Sequence, residues 1–358
     1  MTWALTLLLP LIGYFWVEYI YGWFWGLAFG LALSWLMPGL KAIRGGGFNY
    51  KSALADTVLV AAFGGVDMMT SGLPDAASSF ATAAILSAVL WGVVVIGIRR
   101  SLGGMVDGLR PGMSRNPYFI HLLRGSVIRM SQWSTVASIL FLYAFLTPDT
   151  PAADWIETYA LITVMLAYLA TEIIVARCRR SKYKSAEWVP LLTEDGQVVG
   201  GAPRPLVHNG SLWLHPVVHL HVFSSDGKLL LQLRPKTKKI QPGRWDTAVG
   251  GHITYGEKLQ DALKRETVEE IGLTAFDAQL VRKYVWKCND EHEYVFVFQT
   301  HSDGPFNPRN VGEVDELRFW SKEELANAMG KGLLTPNLDN ELSEGLLELV
   351  GCRIKDRR

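Results

Sequence analysis

Six apolar stretches occupy the first half of this 358-residue chain, at roughly residues 3–20, 22–40, 53–72, 77–98, 131–147 and 155–176. A helix needs about 20 consecutive apolar residues to cross the hydrocarbon of a bilayer. Runs of this kind narrow the first half to an all-α polytopic membrane domain. The first two stretches are separated only by residues 18–22, which fits a bent hairpin or one long helix. A cleaved signal peptide over 1–20 fits poorly, because no basic residue precedes the apolar run and further spans follow at once.

Basic residues set the orientation. Lys41, Arg44 and Lys51 follow the second stretch, and Arg99, Arg100, Arg110, Arg115, Arg124 and Arg129 lie between the fourth and fifth. Arg177, Arg179, Arg180, Lys182 and Lys184 follow the sixth, whereas the alternate loops carry Asp75, Asp149, Asp154 and Glu157 with no Lys or Arg. Positive charge stays on the cytoplasmic side. Six spans with both chain ends inside satisfy every loop at once, and five would not. Glu18, Asp56 and Asp67 lie in or at the edge of spans, where a charge is costly unless it sits at an interface or pairs within the bundle. Within 101–130 the run HLLRGSVIRM reads as a short amphipathic helix on the cytoplasmic face or as a solvated loop.

From about residue 180 the composition is that of a soluble domain. The formal net charge of the whole chain is +1. No basic stripe with interleaved aromatics is present, so nucleic acid is not an expected partner. The cysteines, Cys178, Cys288 and Cys352, are far apart and odd in number. They read as free thiols of a reducing compartment. After the basic run RCRRSKYKS, two strand pairs turn about DG dipeptides, in EWVPLLTEDGQVVG and VVHLHVFSSDGKLLLQLR. WDTAVGGHITYGE then reads as a glycine-rich loop, followed by a helix over 258–271 that Gly272 ends. Strands over 279–286 and 293–300 follow, and SKEE at Ser321 opens a further helix with a capping box.

On the 258–271 helix, Glu266, Glu269 and Glu270 fall at i, i+3 and i+4, so their carboxylates share one face. Three like charges there repel unless a cation joins them, and a hard divalent ion such as Mg²⁺ or Mn²⁺ also binds diphosphate oxygens. Glu257 enters from the turn before the helix, and Arg265 offers a fork to fix a carboxylate. A solvated acidic face would explain the glutamates alone, but not the glycines and arginine at fixed spacing around them.

That spacing resembles the Nudix box, G-x5-E-x7-R-E-U-x-E-E-x-G-U. Gly251, Glu257, Arg265, Glu266, Glu269, Glu270, Gly272 and Leu273 fill it, and Thr267 replaces the first bulky aliphatic residue. The resemblance spans roughly residues 187–350 and implies an α/β/α sandwich that hydrolyses a nucleoside diphosphate linked to a variable group, or a related diphosphate. It implies Glu269 and Glu270 as metal ligands, Glu266 as ligand or base, the Gly250 carbonyl in the metal shell, Arg265 orienting Glu266, and Glu257 as support. The stretch from LTEDGQ to AVGGH also resembles the isopentenyl-diphosphate isomerase branch. There His208, His215, His252, Glu291 and Glu293 fall where that enzyme builds a His/Glu metal site, although histidines that only cap strands would read the same way. The isomerase's cysteine aligns with Gly250, so hydrolysis is favoured over isomerisation.

LLPLIGYFWVEYIYG, ADTVLVAAFGG and the span pattern of the first half resemble the intracellular septation protein A family, which implies an envelope protein and no reaction. The resulting expectation is a multi-domain chain. It comprises a membrane domain over 1–177, a basic linker over 178–186 and a Nudix hydrolase over 187–350 in the cytoplasm at a bacterial inner membrane. Its expected partners are a small diphosphate substrate, the lipid bilayer, and other membrane or envelope proteins. The alternative is a non-catalytic, diphosphate-sensing Nudix module coupled to a membrane scaffold.

Overall fold

Helix follows helix as far as residue 182 in the computed structural model, which describes residues 2–43, 50–70, 75–109, 111–309 and 312–351. These divide into two units, Met1–Lys184 and Ser185–Arg358. Arg44, Arg110 and Cys352 lie outside the described residues, as do the side chains of Lys41, Lys51, Asp67 and Asp75.

In the first unit α1 (Thr2–Tyr21) and α2 (Trp23–Ile43) are broken apart at Gly22, whose φ of +88° suits glycine. They form a hairpin: a Cβ on Gly13 would meet Phe29 and Leu33, and one on Gly30 would meet Tyr14. Then come α3 (Tyr50–Thr70), α4 (Asp75–Ile96), α5 (Ile98–Leu109), α6 (Pro117–Leu146) and α7 (Pro151–Lys182). Among the described residues, three segments are long and apolar enough to cross a membrane by length and composition: Trp23–Leu40, Ala76–Ile96 and Pro151–Lys182. The first and fifth expected stretches, and the third as far as Thr70, also lie in helices, α1, α6 and α3.

Two sequence expectations are corrected here. The run 121–130 is no separate surface helix. It is the opening of α6, which Asn116 starts by accepting a hydrogen bond from Phe119 N at 3.1 Å, with Pro117 at the first turn. The basic run expected as a linker is helical through Lys182, because no Gly or Pro interrupts it and Arg179, Arg180 and Lys182 suit the negative end of a helix. Only residues 183–187 remain between α7 and the first strand. Arg129 of α6 and Glu172 of α7 pair in a fork, at 2.6 and 3.1 Å, a contact across 43 positions that no local spacing announces.

The second unit opens with an antiparallel hairpin, β1 (Trp188–Leu192) and β2 (Val198–Pro203). Its main sheet holds β3 (His215–Phe223), β4 (Leu229–Leu233), β5 (Trp245–Thr247), β6 (Val249–His252), β7 (Gln279–Lys287), β8 (His292–His301) and β9 (Glu316–Trp320). The path runs β5-β4-β3-β8-β7, with β6 on β3 and β9 on β4. Only β3 and β8 pair in parallel among these strands, so the sheet is mixed.

Alternation along β3 divides the core between two faces. Val218, Leu220 and Val222 pack with Ala262, Leu263 and Ile271 from α8 (Leu259–Glu270) and its end. Phe223, with Leu229 and Leu231 of β4, packs on Leu325 of α9 (Lys322–Ala328) and Leu338 of α10 (Pro336–Glu341). Helices thus cover both faces, as the sandwich expectation requires. The capping box at Ser321 is formed in both directions. Gly272, at φ +73°, has no room for a side chain, since a Cβ would stand 2.0 Å from the Asn307 carbonyl oxygen. Thr267 is buried, and its hydroxyl donates to the Leu263 carbonyl at 2.6 Å, which satisfies it inside the helix.

Candidate active site

Arg265 is the hub of the acidic helix. Its Nε and Nη2 donate to the two oxygens of Glu257, each at 2.9 Å, its Nη1 donates to Glu266 at 2.7 Å, and Nη2 also reaches the His252 carbonyl at 3.0 Å. Glu269 stands 3.5 Å from Nη1 and is 45 % exposed, open to solvent. Glu257 further accepts from Thr254 N at 2.9 Å. Its carboxyl is held below the usual range, first by the Arg265 hydrogen bond. One guanidinium therefore ties the loop before α8 to the helix.

Glu266 and Glu270 are held differently. Burial pushes Glu266 up despite Arg265. Glu270 is buried, and its Oε2 accepts from Gln232 Nε2 at 3.0 Å and Gly250 N at 2.9 Å. Burial outweighs those bonds and raises it to about 8. In an antiparallel pair a residue's N–H and C=O leave the strand on the same side. Gly250 N turns to Glu270, away from β3, so the Gly250 carbonyl faces that way too. Gly251 is glycine for lack of room: a Cβ there would stand 2.0 Å from Glu266 Cδ. Gly251→Ala is expected to displace the Glu266 carboxylate and cut kcat by at least about tenfold, while the melting temperature moves little. Steady-state kinetics beside a thermal melt checks it, and an unchanged kcat would mean Glu266 is not held there.

Glu266, Glu269 and Glu270 have one guanidinium between them, and two of the three have raised pKa values. Such a donor set fits a divalent cation. The carboxylates do not converge in this structure, however. Arg265 holds Glu266, while Gln232 and Gly250 hold Glu270, which draws the carboxylates to different partners. Among the described residues, only His208, His215 and His252 have ligand atoms all within 4.8 Å of one another.

The three imidazoles fit a second site. His215 Nδ1 lies 2.9 Å from the Trp213 carbonyl, which can only accept, so Nδ1 carries the hydrogen. Nε2 of the neutral ring then offers a lone pair, and it is buried with no hydrogen-bond partner. His208 Nε2 and His252 Nε2 approach to 2.8 Å. Burial, first of all causes, pushes all three down, His208 to about 4, His215 to about 3 and His252 well below its usual value, so the rings are neutral. Neutral imidazoles suit a transition metal or Zn²⁺. Glu293 Oε1 lies 3.9 Å from His215 Nε2. Glu291 does not join the cluster in the same way; its Oε2 accepts from Cys288 Sγ at 3.8 Å. Burial and then the Glu291 charge raise Glu293 to about 8.

A further buried network was missed by sequence reasoning. His219 Nδ1 and Glu341 Oε1 are 2.9 Å apart, His221 Nε2 and Glu341 Oε2 are 2.8 Å apart, and the Tyr284 hydroxyl donates to Glu341 at 2.5 Å. Burial disfavours a charged His219, but the Glu341 charge and hydrogen bond, helped by Asp246 and Glu293, hold it up at about 9. The signal was the alternation in HPVVHLHVF, which puts His215, His219 and His221 on one strand face.

These shifts carry a sign. Glu270, Glu293 and His219 have folded pKa values above their unfolded ones, so each adds stability at low pH that is lost as pH rises through the folded value. The three low-pKa histidines act the opposite way, adding stability as pH rises through the ordinary value of 6.5, and that gain is nearly complete by about pH 7.5. Metal-free protein is therefore expected to melt several degrees lower at pH 9 than at pH 7, with Mg²⁺ reducing the loss. Melts in chelator and in Mg²⁺ check this, and a flat or rising profile in chelator would contradict it.

A mixed sheet between helices thus presents an arginine-bridged set of glutamates on α8 beside the Gly-Gly pair of β6. The NUDIX domain family matches residues 213–338. An isopentenyl-diphosphate Delta-isomerase of Clavibacter sepedonicus is 32% identical over 149 residues, 40% of this chain and 78% of that protein. The uncharacterized Nudix hydrolase YfcD of Salmonella typhi is 30% identical over 143 residues, 39% of this chain and 76% of that protein. The crystal structure of DR0079 from Deinococcus radiodurans aligns with 44% of this chain and 98% of its own, at 22% identity and a TM-score of 0.37. The chain belongs to the Nudix family and is a diphosphate hydrolase.

Proposed function

We propose that this chain is a membrane-held Nudix hydrolase that cleaves the diphosphate linkage of a nucleoside diphosphate-X, or a related diphosphate, with Mg²⁺ or Mn²⁺. The observation that carries the reading is Arg265, bonded at once to Glu257, Glu266 and the His252 carbonyl beside two further glutamates. Glu266, Glu269, Glu270 and the Gly250 carbonyl are the groups that would hold the cation. The bound ion would polarise the phosphoryl group and lower the pKa of an attacking water. Glu266 would take that water's proton, and Arg265, which donates to it at 2.7 Å, would hold its carboxylate in position. Glu257 fixes Arg265 in turn.

Isomerisation is disfavoured because position 250 carries no thiol to move a proton. A purely sensing module would have no need of Glu266 and Arg265 together. The reading is tested with nucleotide sugars, dinucleotides, oxidised nucleotides and prenyl diphosphates, each with Mg²⁺ or Mn²⁺. Release of a monophosphate or phosphate from at least one is expected, and no turnover of any would overturn it.

The first unit serves, in this proposal, as the membrane anchor of a multi-pass protein of septation-protein type in a bacterial inner membrane, with the hydrolase in the cytoplasm. Supporting this, α7 leaves Leu161, Ile162, Met165, Leu166, Leu169 and Ile173 exposed, a surface suited to lipid rather than water. Reporter fusions after residues 51, 76 and 184 are expected to read inside, outside and inside. An outside signal from the last would reject the six-span arrangement. A hydrolase held at a bilayer suits an amphiphilic diphosphate such as a lipid-linked precursor. That specialisation predicts that reconstitution in vesicles raises turnover of a prenyl diphosphate and not of a soluble nucleotide; equal stimulation of both would make the anchor a matter of localisation.

A further inference from the structure

Two adjacent glycines occupy the middle of β6, and only one of them is explained by the fold. Gly251 has no room for a side chain. At Gly250 the backbone is not left-handed, and a Cβ would meet Thr247 Cγ2 at 3.6 Å and His219 at 3.9–4.0 Å, which are ordinary contacts. Packing would accept a side chain at 250. Glycine is also what lets a ligand approach a backbone closely.

The group facing that gap is His219. It lies directly across the ladder from Gly250. Gly250 N is turned to Glu270, so the pair is of the non-hydrogen-bonded kind, in which side-chain positions are closest. The ring edge nearest the gap is Cδ2 and Nε2, because Nδ1 is engaged by Glu341. Glu341 is held in turn by His221 and by Tyr284, whose hydroxyl also reaches Asn337. The imidazole is held through Nδ1 by a carboxylate that is itself held twice, while its side chain keeps 9 % exposure. Burying two histidines, a glutamate and a tyrosine together costs desolvation that an apolar set would not. A network that sets the Cδ2–Nε2 edge of an imidazole beside the room at Gly250 is accounted for by a ligand there.

The geometry points to His219 as a substrate-contacting residue: its Nε2 meets a phosphate oxygen of the diphosphate in the room left by Gly250, with Glu341 and Tyr284 as positioning residues. This rests on the diphosphate-hydrolase reading, since the Gly250 N–H bond to Glu270 brings the acidic helix to the same strand. The ligand class is a diphosphate, and no thiol or other side chain at 250 takes part.

The test uses the full chain in detergent with Mg²⁺ and methylenediphosphonate, a diphosphate that cannot be hydrolysed. Calorimetry is expected to find binding at least tenfold weaker for His219→Gln and for Gly250→Val, with Mg²⁺ binding retained by His219→Gln, and a smaller loss for Glu341→Gln. In the unmutated chain, deuterium exchange at the His219 C2–H, resolved by tandem mass spectrometry, is expected to slow on saturation with the ligand. That measurement and Gly250→Val decide the matter if His219→Gln fails to fold. Wild-type affinity in both variants, or exchange unaffected by ligand, would overturn the contact. Hydrolysis found alongside unchanged affinity in His219→Gln would remove His219 and leave the hydrolase. Weakened affinity without hydrolysis of any diphosphate would do the reverse.

Discussion

Glu269→Gln and Glu270→Gln are each expected to lower kcat by at least about a hundredfold while the protein stays folded. An amide keeps the shape of the carboxylate and removes the charge that binds a hard cation, and a lost cation withdraws several kcal/mol of transition-state stabilisation, with each tenfold in rate worth about 1.4 kcal/mol. The two variants should differ in stability. Glu269 is partly exposed and its ion pair with Arg265 is long at 3.5 Å, so its melt should not move. Glu270 is buried, and its carboxyl is favoured in the protonated form up to about pH 8 in metal-free protein. Its amide should therefore remove part of the stability loss between pH 7 and 9. Metal-dependent turnover and melts at both pH values measure this. Wild-type turnover in either variant would remove that residue from the metal site.

Arg265→Ala carries the second large effect, on both activity and fold. It strips Glu257 of two bonds, leaves Glu266 with 12 % exposure and no cation, and frees the His252 carbonyl. Removing one partner of a buried pair strands the other. With Arg265 itself about one-third exposed, solvent screening tempers the loss to roughly 2 kcal/mol. Turnover should fall by at least about tenfold, because Glu266 loses its orientation. Arg265→Lys should recover the charge and part of the stability, but not the turnover, since an ammonium cannot fork to Glu257 and reach Glu266 at once. Denaturant melts and kinetics on both variants check this. Recovery of full turnover by lysine would show that charge alone, and not the fork, is what the site needs.

What could be read in the sequence was local. The i, i+3, i+4 glutamates, the glycine ending α8, the DG hairpins and the Ser321 capping box each depend on residues within a few positions, so spacing carries them. The limits of α6 and α7 could not be read that way. Arg124, Arg129 and the basic run 177–182 change what the helix faces but do not break it, and a hydropathy boundary is not a helix boundary. The contacts that connect the site are long-range. Gln232 reaches Glu270 over 38 positions and His219 meets Glu341 over 122, so no spacing could pair them. The imidazole trio was visible only through a family resemblance, since His208 and His252 are brought to His215 by a turn and by β6 pairing on β3.

Hydrolysis in ¹⁸O-water tests the central claim most directly. The full-length chain is incubated with Mg²⁺ and a diphosphate substrate found by turnover, and the products are weighed by mass spectrometry. A metal-activated water attacking phosphorus predicts one ¹⁸O per cleavage in a phosphate product, with Glu269→Gln forming almost none. Conversion of isopentenyl diphosphate to its isomer with no labelled phosphate, or tight diphosphate binding with no label in any product, would contradict it.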